Sequence, residues 1–237
     1  MSIEDITTND MYAEFVENIK KGKHFSFIRY GDGEWALMLK RDPIYRKAVT
    51  RWGPSVIKVG EWMLNHLKQS PSYYVGIQPL ALRHWGSDIL NVIDGQGMQT
   101  CNSDTLHKNS IRDNMQPFFD SLKSRNVVIV GPSYLKMNMF EYTHIVTPEV
   151  GAWDYLEKIR IEIRKAISAS KDPVILYSCS LAAKLLIRDF HKQLGDSITQ
   201  IDTGSVFDPY AGVDSRSYHS DVIKRLNIET KKKVHIK

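Results

Sequence analysis

The sequence is poor in everything that would staple it, carry it through a membrane or leave it unfolded. Two cysteines in 237 residues, Cys101 and Cys179, stand far apart and in no paired spacing. That suggests neither a disulfide framework nor a cysteine zinc site and reads as two buried or partly buried free thiols. No stretch approaches the roughly 18 apolar residues of a membrane span, and the opening MSIEDITTND lacks the basic and apolar blocks of a secretory signal. A cytoplasmic chain without a membrane span is expected. Repeats, low-complexity tracts and linker-like segments are also missing, so residues 1–237 read as one domain, a common size for a single α/β core.

What is present fits that size. A hydrophobic share of 42% beside 25% charged residues is that of an ordinary folded protein, far from the balance that keeps chains disordered. The formal charge of +5 suits an anionic ligand such as a nucleoside diphosphate. Part of the excess sits in a short basic C-terminal tail, Lys231, Lys232, Lys233 and Lys237, which simple solvation explains equally well.

Periodicity orders the chain as helices alternating with apolar strands. Met11, Phe15 and Ile19 recur at helical spacing ahead of the compact run Phe25 to Tyr30. Gly31 and Gly33 end that strand, and Glu34 opens WALMLK, rich in helix formers. Val56, Gly60, Met63, Leu64 and Leu67 mark another helix face, and Tyr73 to Ile77 a strand. Val127 to Val130 reads as a buried parallel strand entering the loop Gly131-Pro132-Ser133. Leu156, Ile159, Ile163, Ala166 and Ile167 form the next helix stripe. Val174 to Tyr177, the loop Ser178-Cys179-Ser180 and a helix marked by Ala182, Leu185, Leu186 and Phe190 follow. A short strand, Ile198 to Ile201, leads into DTGSVFDPYAG. This order predicts an α/β sheet with binding loops gathered at its strand ends.

The sharpest local feature is Arg29-Tyr30-Gly31-Asp32-Gly33-Glu34-Trp35. In an extended loop alternate residues point the same way, so Asp32 and Glu34 would converge on one hard cation, Mg or Mn, directly or through water. Such an ion would neutralise charge growing on a diphosphate leaving group. On the spacing alone a solvated turn is the more ordinary reading, since Asp and Gly collect there for conformational reasons. Ser133 and the Ser178 to Ser180 loop each precede a helical segment, where N–H groups and hydroxyls bind phosphate or merely cap the helix. Asp202 and Asp208 in the last loop are candidates for a base or a sugar-hydroxyl acceptor, or for Asx-turn formers. His107 with Lys108, and Arg216 with Tyr218 and His219, are candidates to close on phosphate and base, or plain surface.

The stretch Phe27-Ile28-Arg29-Tyr30-Gly31-Asp32-Gly33-Glu34 resembles the arginine, aromatic, Gly-Asp-Gly-Glu signature of the GT-D glycosyltransferases, a bacterial group first catalogued as a domain of unknown function. VVIVGPSYL at Val127 to Leu135, VILYSCSLAAKLLI at Val174 to Ile187 and IDTGSVFDPYAG at Ile201 to Gly212 carry the resemblance through most of the chain in the expected order. It departs at Ser178-Cys179-Ser180, where a more glycine-rich phosphate loop is expected, and in the last loop, which lacks the histidine that some relatives carry after the glycine. The resemblance implies a GT-D type of fold, a mainly parallel Rossmann-like sheet flanked by helices. It further implies a nucleotide-sugar donor, UDP-linked by first choice, and Mn or Mg held at Asp32 and Glu34. Arg29, Tyr30, Ser133, Ser178, Ser180 and His107 would contact the donor, and Asp208, ahead of Asp202, would be catalytic. The acceptor, whether glycan, glycoprotein or nucleic acid, does not transfer with a fold. A metal-dependent phosphoryl hydrolase or nuclease and a non-catalytic nucleotide-binding protein are the alternatives.

Overall fold

A computed structural model describes residues 1–67 and 72–233. Seven strands form its central sheet: β1 (Ser26–Tyr30), β2 (Tyr73–Ile77), β3 (Gln99–Asn102), β4 (Asn126–Pro132), β5 (Thr143–Thr147), β6 (Pro173–Tyr177) and β7 (Thr199–Asp202). Their order is β3-β2-β1-β7-β6-β4-β5, and every neighbouring pair is parallel. The fold is therefore an α/β, Rossmann-like arrangement. Strands β4 and β6 read as unbroken apolar runs because both faces are covered. Ile28, Val128, Val130 and Ile175 pack into one core, while Phe27, Val127, Ile129 and Leu176 pack into the other.

Helices Asp32–Leu39, Val56–Asn65, Leu156–Ala169 and Leu181–Leu194 contribute to the first core. Helices Tyr12–Lys21 and Gln116–Leu122 contribute to the second. Among the described residues no helix is long and apolar enough to cross a membrane. Both cysteines are buried free thiols.

Topology sets where a ligand can enter. From β1 the chain runs outward to β2 and β3, then re-enters at β4 on the opposite side of β1 and works back to β7. Such a switch point leaves a crevice at the carboxyl ends of the strands. Pairing between β1 and β7 is confined to Ser26–Gln200 and Phe27–Ile201. Beyond it the Arg29 N–H goes to the Asp202 carboxylate at 3.3 Å instead of to a backbone carbonyl. The two strands part where the cleft begins.

Two expectations are corrected. Residues 133–142 contain no helix and connect β4 directly to β5, so Ser133 precedes no helix N-terminus. The basic tail is docked as far as residue 233: Lys232–Lys233 pairs in parallel with Val213–Asp214, and the Lys232 ammonium holds both Glu149 oxygens at 2.6 Å. The cause is a cleft-edge carboxylate and the Tyr134 ring, 5.3 Å from the same ammonium. Lys237 lies outside the described residues.

Candidate functional site

The segments that follow the seven strands line one cleft of about 640 Å³, with Arg29, Asp32, Glu34, His107, Lys184 and Asp208 among its lining residues. The glycine-flanked acids are not in an extended loop. Asp32 begins the helix Asp32–Leu39, so the two acids occupy the first turn of a helix, where residues two apart stand about 200° apart around the axis, and not alternate positions of an extended chain. The reason is local capping. The Glu34 carboxylate accepts the Gly31 N–H at 3.0 Å, the closing half of a capping box. Gln78 accepts the Asp32 N–H at 2.9 Å and Asp32 accepts the Gly33 N–H at 2.9 Å. This helix end is closed by its own Asp32 and Glu34 and by Gln78 from the segment after β2.

Glu34 also faces a lysine. The Lys184 ammonium, only 6% exposed, lies 2.6 Å from Asp202 and 3.3 Å from Glu34. Burial works against that ammonium, but the two carboxylates outweigh it and hold its pKa above the ordinary lysine value. Burial likewise pushes the Glu34 carboxyl up, and Lys184 with the Gly31 N–H more than offsets it, leaving it below the usual range. Asp202 is fully engaged. One oxygen takes Lys184 and the Arg29 N–H, and the other takes the Gly204 N–H at 3.1 Å. At 1% exposure it lies beneath the cleft rather than in it.

As a chelate for a divalent ion, Asp32 and Glu34 do not fit. Both Glu34 oxygens already have donors, and one Asp32 oxygen takes the Gly33 N–H. Among the described residues no group of three His, Cys, Asp or Glu side chains is placed to hold a metal.

Arg29 borders the cleft with its guanidinium fixed by the Ser103 carbonyl at 2.7 Å and by Asp104 at 3.6 Å. It passes so close to Gly204 that a Cβ there would lie 2.2 Å from Nη1, and Gly204 itself has φ +54°. Glycine takes this backbone conformation without strain, and any larger residue would have to displace the Arg29 guanidinium.

Asp208 is the best-prepared carboxylate in the cleft. It is 4% exposed and precedes the short turn Pro209–Ala211. The Tyr134 hydroxyl donates to one oxygen at 3.4 Å, and the Ser215 hydroxyl donates to the other. Burial pushes the carboxyl up to about 6, against the pull of Ser215, Arg216 and Tyr134. Ser215 is steadied in turn, its N–H donating to His219 Nδ1 at 3.2 Å. Burial foremost, with Arg216, lowers His219 to about 4, so it is neutral at pH 7. His107 is neutral too, pushed well down by burial, Arg29 and Arg216. Its Nδ1 has no hydrogen-bond partner among the described residues, and its ring meets Tyr218 edge-on at 6.0 Å.

The Ser178-Cys179-Ser180 loop enters the helix Leu181–Leu194. Ser178 is buried with its hydroxyl 2.8 Å from that of Thr203. Ser180 has φ +54° and ψ −134° and offers no side-chain cap, a conformation that ordinarily belongs to glycine. Cys179 is buried, and burial pushes its thiol up, which leaves it unreactive.

Two expected donor contacts do not reach the cleft. Tyr30 is 1% exposed and packs into the core against Trp35, ring centroids 6.2 Å apart, because its alternation along β1 turns it to the face where Ile28 packs. Ser133 is exposed beyond the end of β4 and is not among the residues that line the cleft. The sequence reading missed Lys184, Gln78, Tyr134 and Ser215. Lys184 left a trace, a lone charge inside the apolar run LAAKLLI; the others depend on contacts made across the fold. Comparison with protein-family models, with curated proteins and with solved structures gives no match for this chain.

Proposed function

We propose that this protein is a glycosyltransferase that binds a nucleoside-diphosphate sugar in the cleft and transfers the sugar to an acceptor hydroxyl. One observation carries the reading: a buried, hydroxyl-held carboxylate with a pKa of about 6, Asp208, shares a cleft with Arg29, Lys108, Lys184 and Arg216. Cations and a helix N-terminus are what a diphosphate needs. Among the helix ends at the cleft, that of Asp32–Leu39 is closed by Glu34 and Gln78, whereas that of Leu181–Leu194 has no side-chain cap and carries a lysine facing the cleft. The diphosphate is therefore assigned to the second, with Lys184 in its first turn.

The chemistry follows from the charges. As the sugar–phosphate bond breaks, negative charge grows on the leaving diphosphate, and the fixed cations around it stabilise that charge more than they stabilise the bound donor. Asp208, ionised near neutral pH, accepts the proton of the attacking hydroxyl. Tyr134 and Ser215 aim it. The phosphoryl-hydrolase alternative needs carboxylates clustered around metal ions, and the two acids nearest to that role, Glu34 and Asp202, hold Lys184 instead. Incubation with a panel of UDP-, GDP- and CDP-sugars, and separately with phosphodiesters, tests the reading. Release of nucleoside diphosphate from one sugar donor is expected; phosphodiester cleavage without it would overturn the proposal.

A further inference from the structure

The acidic end of the cleft contains its own cation. Lys184 rises from the first turn of the helix Leu181–Leu194, its stem passing between buried residues. Its ammonium reaches Asp202 on β7 and Glu34 on the helix after β1. The oxygens around it are accounted for. Glu34 gives one to Lys184 and one to the Gly31 N–H. Asp202 gives one to Lys184 and the Arg29 N–H, and one to the Gly204 N–H. A divalent ion needs about six oxygens at roughly 2.0–2.6 Å. Here it would have to expel an ammonium already held by both acids and break their backbone hydrogen bonds.

We propose that Glu34 and Asp202 are the two anchors of a cationic arm rather than metal ligands, and that the remaining N–H of Lys184 meets a phosphate oxygen of the ligand. A lysine ammonium has three donors. Two are directed at the anchors, no third acceptor is present among the described residues, and Lys184 borders the cleft. The arm and the uncapped N-terminus belong to one helix, so a single rigid element presents both to the same anion. The phosphate contact rests on the function proposed above; the anchoring of Lys184 does not.

Two titrations of the full chain separate the claims. In the first, Mn(II) is added without nucleotide and free Mn(II) is followed by electron paramagnetic resonance, for wild type and Glu34→Gln. The proposal expects no bound Mn(II) that Glu34→Gln removes; stoichiometric binding abolished by that substitution would overturn the anchor assignment. In the second, UDP, GDP and CDP are titrated calorimetrically in excess chelator. The nucleotide that wild type binds should bind about tenfold or more weakly to Lys184→Met, a free-energy change of about 1.4 kcal/mol. Unchanged affinity in the folded variant overturns the phosphate contact. Should Lys184→Met not fold, Lys184→Met/Asp202→Asn removes the ammonium together with its more deeply buried carboxylate, and the same loss is expected from it. If wild type binds none of the three, the proposed function fails and the phosphate contact with it, while the Mn(II) titration still decides the role of Glu34.

Discussion

At the scale of single residues, Asp208 separates function from stability. Its carboxyl is held at about 6 against an ordinary 3.8, so the folded protein binds a proton more tightly than the unfolded chain. Folding stability is then undiminished below pH 4 and falls as pH rises through about 6, by on the order of 3 kcal/mol at 1.4 kcal/mol per unit. Asp208→Asn should accordingly be more stable than wild type in denaturant titrations at pH 8, with the gain vanishing towards pH 4. Its transfer rate should fall by about 10²-fold or more, with donor affinity preserved. The acidic limb of the wild-type rate profile, with its midpoint near pH 6, should disappear in the variant; a variant that keeps both rate and limb reduces Asp208 to a turn former. Gly204 is constrained in the opposite sense. With φ +54° and Arg29 Nη1 at 2.2 Å from any Cβ, Gly204→Ala should cost about 1–3 kcal/mol in urea unfolding and weaken nucleotide binding by displacing Arg29.

At the scale of elements, the loop before the helix Leu181–Leu194 stores strain. Ser180 sits at φ +54°, ψ −134° and its hydroxyl does not cap the helix, so Ser180→Gly should relieve about 1 kcal/mol and raise the melting temperature by about 2–4 °C. A lower melting temperature would mean that the hydroxyl makes a stabilising contact. This loop also shows how far the sequence can be read. Its strand and helix were legible because Val174 to Tyr177 is a short apolar run and Ala182, Leu185, Leu186 and Phe190 recur at helical spacing. The positive φ was not, because nothing in a serine announces it. The Asp32–Glu34 loop failed for a related reason. Glycine on both sides suggests extended chain, yet Glu34 reaching back to the Gly31 N–H starts a helix there. β5 escaped notice because as an edge strand it alternates exposed and buried residues, with Ile145 8% and Val146 59% exposed, over five positions only.

At the scale of the molecule, one buried ion cluster ties the two halves of the sheet together. Glu34 follows β1, Asp202 ends β7, and Lys184 comes from the helix after β6. Removing one member strands a buried charge, so Lys184→Met alone should cost about 3–5 kcal/mol in denaturant titrations, and less when Asp202→Asn is added. A cost of under 1 kcal/mol for the single variant would mean that the cluster is open to water. The depressed Glu34 carboxyl stabilises the fold above its ordinary 4.5 and loses this as pH falls. The raised Lys184 stabilises it below its ordinary 10.5 and loses this as pH rises through its folded value. The parted strands of the switch point, the uncapped helix and Asp208 meet at one cleft, which the proposed function fills with a nucleoside diphosphate. The measurement that tests this most directly is thermal unfolding with UDP, GDP, CDP and their sugars, one at a time. A ligand at 100 times its Kd stabilises by about 2.7 kcal/mol, which for a chain of this size is a shift of about 5–10 °C. The account predicts such a shift for at least one nucleoside diphosphate in wild type and its loss in Arg29→Met; no shift with any of them would contradict it.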